Sequence, residues 1–170
     1  EFATSAVTDS VASVNSVSEN ASIGTTVGVQ ALAADSDATT NTITYSLTDN
    51  DGGRFAINSS TGVVTVAGAI NREADGASRD ITVRATSADG SVTDQVFTIN
   101  ITDVDEFDVT NPVDTNSTIN NVNENVAIGT VVNITASASD ADATTNSVTY
   151  SLFDNDGGNF AIDANTGVVT

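Results

Sequence analysis

The chain has 170 residues, 39% of them hydrophobic, which is enough for one large or two small packed domains. Four Lys and Arg stand against 23 Asp and Glu, a formal charge of −19 that repels phosphate backbones and anionic lipid and argues against a nucleic-acid partner. Cys and His are both absent, so disulfides and the usual ligands of zinc, copper and haem are excluded, while hard cations held by oxygen stay open, calcium first.

Read in chain order, residues 1–13 form an N-terminal linker, with Glu1 and Phe2 a candidate cloning scar that carries no fold argument. A complete structural unit follows over 14–106. Its predicted strands are "TITYSL" (Thr42 to Leu47), "RFAI" (Arg54 to Ile57), "GVVTVAGAI" (Gly62 to Ile70), "DITVRAT" (Asp80 to Thr86) and "DQVFTINIT" (Asp94 to Thr102). Each alternates apolar with polar residues or runs β-branched. Between them "TDNDGG", "NSSTG" and "SADG" supply the Asn, Asp and Gly that tight turns need, and "DNDGG" (Asp49 to Gly53) is read as such a turn rather than as a metal loop. The expected core is Ile23, Val27, Val29, Ile43, Tyr45, Leu47, Phe55, Ile57, Val64, Val66, Ile81, Val83, Val96, Phe97 and Ile99. No helical period persists over three turns. Residues 107–118 are a second linker.

The rest of the chain, 119–170, repeats the first unit. Glu19 and Glu124, Asp35 and Asp140, Tyr45 and Tyr150, and Gly62 and Gly167 are each 105 residues apart, and the register runs without a gap from Val14/Ile119 to Thr65/Thr170. Roughly two-thirds of the aligned positions from Glu19 onward are identical, the mark of a tandem array. The counterparts of "DITVRAT" and "DQVFTINIT" are not among the 170 residues, so this copy is expected to be the N-terminal half of a repeat, weakly ordered alone or completed by another copy of the chain. The fold class is therefore all-β: a Greek-key, immunoglobulin-like β-sandwich in tandem, its second copy truncated.

Acidic clusters punctuate the unit at strand ends: "SEN" (Ser18 to Asn20), "DSDATTN" (Asp35 to Asn41), "NRE" (Asn71 to Glu73), "SADG" (Ser87 to Gly90) and "DVDE" (Asp103 to Glu106). In an antiparallel sandwich strand ends gather at two poles, so clusters remote in sequence can converge. Two carboxylates about 4 Å apart repel by several kcal/mol at an effective dielectric near 20. An oxygen-rich calcium site removes that cost.

Together these motifs resemble the cadherin-like repeats, and in particular those of large secreted (RTX-type) bacterial surface adhesins. In that family "xEN", "DRE" and "DxNDN" collect at the C-terminal pole of one domain, and "DxDxGxN" with a later "DxG" comes from the N-terminal pole of the next. The resemblance implies calcium ligands Glu19, Asn71, Glu73, Asp103, Asp105 and Glu106 from the first copy and Asp140, Asp142 and Asn146 from the second. It implies Asp35, Asp37, Asn41 and Asp89 at the first copy's own N-terminal pole. Three departures stand out. Asn71 replaces the first acid of "DRE", Phe107 ends the linker motif without a ligand, and "ATT" replaces the glycine-bearing spacer.

The function implied is a calcium-stiffened extender repeat of an extracellular adhesin, touching neighbouring repeats of the same chain. The alternative makes the repeats themselves bind a surface glycan or a homophilic partner, although Trp is absent and only two Tyr occur, both in "TYSL". With no His, no nucleophile motif and no phosphate loop, the chain is not read as an enzyme. No apolar run approaches the roughly 20 residues of a membrane span, and no basic region leads into an apolar core at the start, so the sequence reads as a soluble interior piece without membrane insertion; an extracellular, secreted, cell-surface location is what the resemblance implies.

Overall fold

The computed structural model describes residues 3–170, so Glu1 and Phe2 and the reading of them as a cloning scar lie outside the described residues. The chain divides into two compact units, Glu1–Val104 and Asp105–Thr170.

Unit 1 is a two-sheet β-sandwich. One sheet orders β1 (Thr8–Asp9), β3 (Thr26–Leu32), β6 (Val63–Val66) and β5 (Phe55–Ile57) as β1-β3-β6-β5. The other orders β2 (Ser16–Ser18), β8 (Val92–Thr102), β7 (Ser78–Ser87) and β4 (Ile43–Asp49) as β2-β8-β7-β4, with β2 parallel to β8 and the remaining pairs antiparallel. A single helical turn, α1 (Arg72–Asp75), joins β6 to β7. The period-two pattern of the sequence appears directly in β7, where Ile81, Val83 and Ala85 are buried and the residues between them are not.

The core lies between the sheets and joins Val27, Val29, Phe55, Val64 and Val66 to Ile81, Val83, Ala85, Ile99 and Ile101. Two expected core residues lie outside it. Ile23 is 74% exposed, because it sits in the turn before β3, and Val96 is 52% exposed, on the outward face of β8. Leu47, Ile43, Ile57 and Phe97 pack against the core from its edge, while Val17, Ile70 and Ile101 join it from positions the sequence reading passed over.

Several turns explain their own residues. Gly62 has φ +69°, and a Cβ there would meet the Ala31 carbonyl oxygen at 2.3 Å; its repeat partner Gly167, also at φ +69°, would meet the Ala136 oxygen at 2.1 Å. Only glycine fits both the backbone and the space. In the β4–β5 turn Asp51 accepts from the Arg79 guanidinium, and Arg54 reaches Asp75 at 2.6 Å. "DNDGG" is thus a turn, as the sequence suggested, and its Asp51 also anchors Arg79, a contact the sequence reading did not include.

In the expected linkers the structure places strands. Thr8–Asp9 forms β1, and β9 (Val113–Asp114) pairs with β10 (Ala136–Ser137) in unit 2. The 105-residue register extends this far: the Asp9 carboxylate accepts from the Gln30 amide at 3.1 Å, and Asp114 accepts from Thr135 at 3.0 Å. Unit 2 otherwise keeps unit 1's pattern in sparse form, with bridges Thr135–Val168 and Ile162–Val169 and a Tyr150 hydroxyl that accepts from Ala138 N as Tyr45 does from Ala33 N. Val132 is buried there, and Ile134, Tyr150, Leu152, Phe160 and Ile162 are half-buried rather than open to solvent.

Burial works against ionised Asp75, but the Asn71 amide and the Arg54 guanidinium outweigh it and hold the carboxyl below the usual Asp range. A depressed folded-state pKa stabilises above the unfolded value and loses that contribution as pH falls through the folded one. Asp75→Asn is therefore expected to lower the denaturation midpoint of unit 1 at pH 7, with the wild-type and variant curves converging below about pH 4. Urea titrations across pH test this; a difference that persists undiminished at low pH would contradict it.

Candidate metal centres at the poles of the units

The β7–β8 pairing sets the ends of unit 1. Ser87, the last residue of β7, lies beside the start of β8, so Asp89 falls at one pole, and Asp103 follows the far end of β8 at the other.

At the Asp103 pole, Glu19, Glu73 and Asp103 each offer a carboxylate oxygen within 4.8 Å of the others. Glu19 follows β2 and is 2% exposed. Its two oxygens are held by backbone donors, Oε2 by Arg72 N at 2.6 Å and Oε1 by Val104 N at 2.8 Å. That carboxylate ties the ends of β2, α1 and β8 together. The Arg72 guanidinium donates to the Ile101 carbonyl and lies 3.6 Å from Asp103, placing a cation among the acids. Both oxygens of Glu73 are buried with no hydrogen-bond partner. A buried carboxylate is costly unless a cation or donors satisfy it, so this geometry fits a bound cation. Asn71 is different. Its side-chain oxygen caps α1, accepting from Ala74 N at 2.6 Å, and the residue is exposed.

At the opposite pole, Asp35, Asp37 and Asp89 also lie within 4.8 Å of one another and are half-buried. Asp35 Oδ1 accepts from Asp37 N at 2.9 Å, whereas Asp35 Oδ2 is buried without a partner. The Ser91 amide, 2.7 Å from Asp89, holds that carboxyl below its ordinary pKa. Asn41 lies between the following bend and β4 and is exposed.

In unit 2, Asp142 is 1% exposed and accepts from Glu106 N at 3.0 Å and from Phe107 N at 3.3 Å. Asp140 in turn accepts from Asp142 N at 3.1 Å. Hydrogen bonding to Asp142, then its charge, raises the Asp105 carboxyl. Burial alone would raise Asp142, but the Glu106 amide and the bond to Asp105 keep it low. Neighbouring carboxyls pushed in opposite directions mark acids held close together. Asn146 is exposed.

The structure thus brings the carboxylates together in three local sets and leaves the three asparagines Asn41, Asn71 and Asn146 exposed. Sequence reasoning missed Arg72 as the cation within the first set, and missed the Val104 and Ser91 amides that position Glu19 and Asp89. Backbone donors have no residue-type signal, and Arg72 was visible only as the middle letter of "NRE".

The cadherin domain model matches residues 13–112. The chain belongs to the cadherin family. Among curated relatives, human Protocadherin Fat 4 is 38% identical over 162 residues and human Protocadherin Fat 1 is 36% identical over 157. These matches cover 91% and 90% of the chain but only 3% of each relative. Among solved structures, repeats EC22-24 of mouse Cadherin-23 superpose with a TM-score of 0.77 at 28% identity, covering 100% of this chain and 54% of that one. Cadherin domains are extracellular, adhesion-type β-sandwich repeats that generally bind calcium; they are not an enzyme family. Among the described residues of this chain no helix is long and apolar enough to cross a membrane.

Glu19→Ala is expected to destabilise unit 1 by about 1–3 kcal/mol for each buried donor it orphans, Arg72 N and Val104 N, even in excess chelator. Denaturation curves with and without calcium separate this backbone role from ion binding, and an unchanged curve in chelator would refute it.

Proposed function

We propose that this chain is a calcium-binding structural extender of a bacterial surface adhesin, in which ions at the inter-repeat junctions stiffen a rod used for cell attachment and biofilm formation. The observation that carries the reading is the pair of buried, unpartnered oxygens on Glu73 beside the carboxylates of Glu19 and Asp103. Asp103, Asp105 and Glu106 supply the middle of the ligand set, with Asp140, Asp142 and Asn146 from the second repeat; Asp35, Asp37, Asn41 and Asp89 are assigned to the ion site at the other pole of unit 1. Asn71, engaged in capping α1, is the weakest ligand of the set. Calcium takes six to eight oxygens at about 2.3–2.6 Å and tolerates irregular geometry, which suits carboxylates gathered from several strand ends. When bound, it neutralises charge that otherwise pushes those ends apart.

Extension rather than ligand capture follows from composition and repetition. A register of 105 residues that repeats over 52 positions fits a tandem array whose repeats touch only their neighbours, and no Trp is present to build an aromatic platform. The bacterial setting rests on the likeness of the repeat and linker motifs to secreted adhesins.

Calcium is expected to raise the melting temperature, by about 2.7 kcal/mol of stabilisation per site at 100 times Kd, with magnesium a poor substitute. Calorimetric titration and melting curves in chelator measure this, and identical melting with calcium and with chelator would defeat the proposal. Glu73→Ala and Asp142→Ala are each expected to weaken calcium binding and shorten the maximum dimension seen by small-angle scattering. Equal dimensions for wild type and variants in calcium would argue against a stiffening role.

A further inference from the structure

Four arginines are the only basic side chains of this protein, and three of them grip a carboxylate with two N–H donors. Arg54 holds Asp75 at 3.1 and 2.6 Å, Arg84 holds Asp94 through two bonds of 2.8 Å, and Arg79 holds Asp51 in the same two-point manner. Arg72 does not. Its Nη1 donates to the neutral Ile101 carbonyl, and its Nε, 3.6 Å from Asp103, is buried and makes no hydrogen bond. Nη1 and Nε thus bring charge to the Glu19, Glu73 and Asp103 cluster without spending a hydrogen bond on its carboxylates. The residue is also fixed in place: its backbone N–H is on Glu19 at 2.6 Å, and its side chain is 20% exposed.

We propose that Arg72 is the charge-setting residue of this pole, matching the site to one divalent cation and acting as a resident counter-ion when that cation is absent. The inference rests on the calcium reading above and names what sets its selectivity. Three ionised carboxylates and one guanidinium leave a net charge of −2, which a single divalent ion neutralises. A fixed guanidinium repels a bound ion in proportion to the ion's charge, so it disfavours a trivalent ion more than a divalent one. Without the ion, the same guanidinium offsets repulsion among acids that burial shields from solvent screening. Removing its charge therefore acts in opposite directions, weakening the empty pole and tightening the loaded one. An arginine needed only for packing would lose on both counts.

The test titrates the isotope-labelled full chain with calcium and, separately, with lanthanum(III). It follows the Val104 amide, which donates to Glu19 and so reports this pole. Arg72→Gln is expected to bind calcium about tenfold tighter and to raise the lanthanum-to-calcium affinity ratio by at least about threefold. In chelator the same variant is expected to melt below wild type. Arg72→Lys, which keeps the charge, is expected to hold the wild-type ratio. Arg84→Gln removes an equal charge from the outer face of β7 and is expected to leave the Val104 titration unchanged. Because the ratio compares two ions on one folded form, it stays readable where Arg72→Gln lowers stability. With calcium bound by wild type, an unchanged ratio or an unchanged melting curve in chelator for Arg72→Gln would overturn the proposal alone. So would a ratio raised equally by Arg72→Lys or Arg84→Gln. Failure of both Arg72→Gln and Arg72→Met to fold at saturating calcium would overturn it too, since the ion then supplies the positive charge. A Val104 amide in wild type that responds to neither ion would instead overturn the calcium reading of this pole, and the proposal with it.

Discussion

The antiparallel pairing of β7 with β8, from Ser78–Asn100 to Thr86–Val92, is the constraint on which unit 1 depends. It is the longest pairing in the chain, and its inward residues Ile81, Val83, Ala85, Ile99 and Ile101 close the sandwich over the other sheet. Burial of aliphatic side chains at about 25 cal/mol per Å² makes such a closure the dominant favourable term. The same pairing fixes the poles. Because β7 and β8 run the full height of the unit, one hairpin sends Asp89 to one end and Asp103 to the other, and the acids contributed by β2, β3 and α1 gather around those two points.

Glu19 and its repeat partner show what closure does to a single residue. Glu19 is buried, with both oxygens held by backbone amides that exist because α1 and the end of β8 are in place. Glu124, its counterpart 105 residues on in the similar stretch "VNENVAIGT", is exposed. A carboxylate becomes a site component only when neighbouring elements desolvate it and supply donors or acids around it. The cost of gathering like charge is then borne by the packed core beneath, which is why these clusters sit on strand ends and not on isolated loops.

The arginines divide into two roles by the same logic. Arg54 and Arg79 neutralise Asp75 and Asp51 at the β4–β5 turn and hold α1 against the sheet, whereas Arg72 stands within the acid cluster itself. In the second copy Asn159 occupies the position of Arg54, so the turn "DNDGG" persists there without its ion pair. The turn is set by local chemistry, Asp51 and Asp156 both taking positive φ, and the ion pair is an addition made by tertiary contacts.

Much of this molecule was legible in its residues. Period-two runs of Val, Ile and Phe marked β4 through β8, Asn, Asp and Gly marked the turns, and the 105-residue register showed the first half of the unit written again, because alternation and turn chemistry are local properties. The gathering of acids at strand ends was legible too, because the ends of antiparallel strands collect at two poles. The sequence did not disclose β1 and β9, whose short strands form only because β3 and β10 offer an edge, nor the exposure of Ile23 and Val96, which share residue type with the core but face outward. Only the tertiary structure decided which acids meet. Asn71 was spent on a helix cap, Glu19 on two backbone amides, and Glu73 was left with buried, unpartnered oxygens, outcomes that depend on distances between elements far apart in the chain.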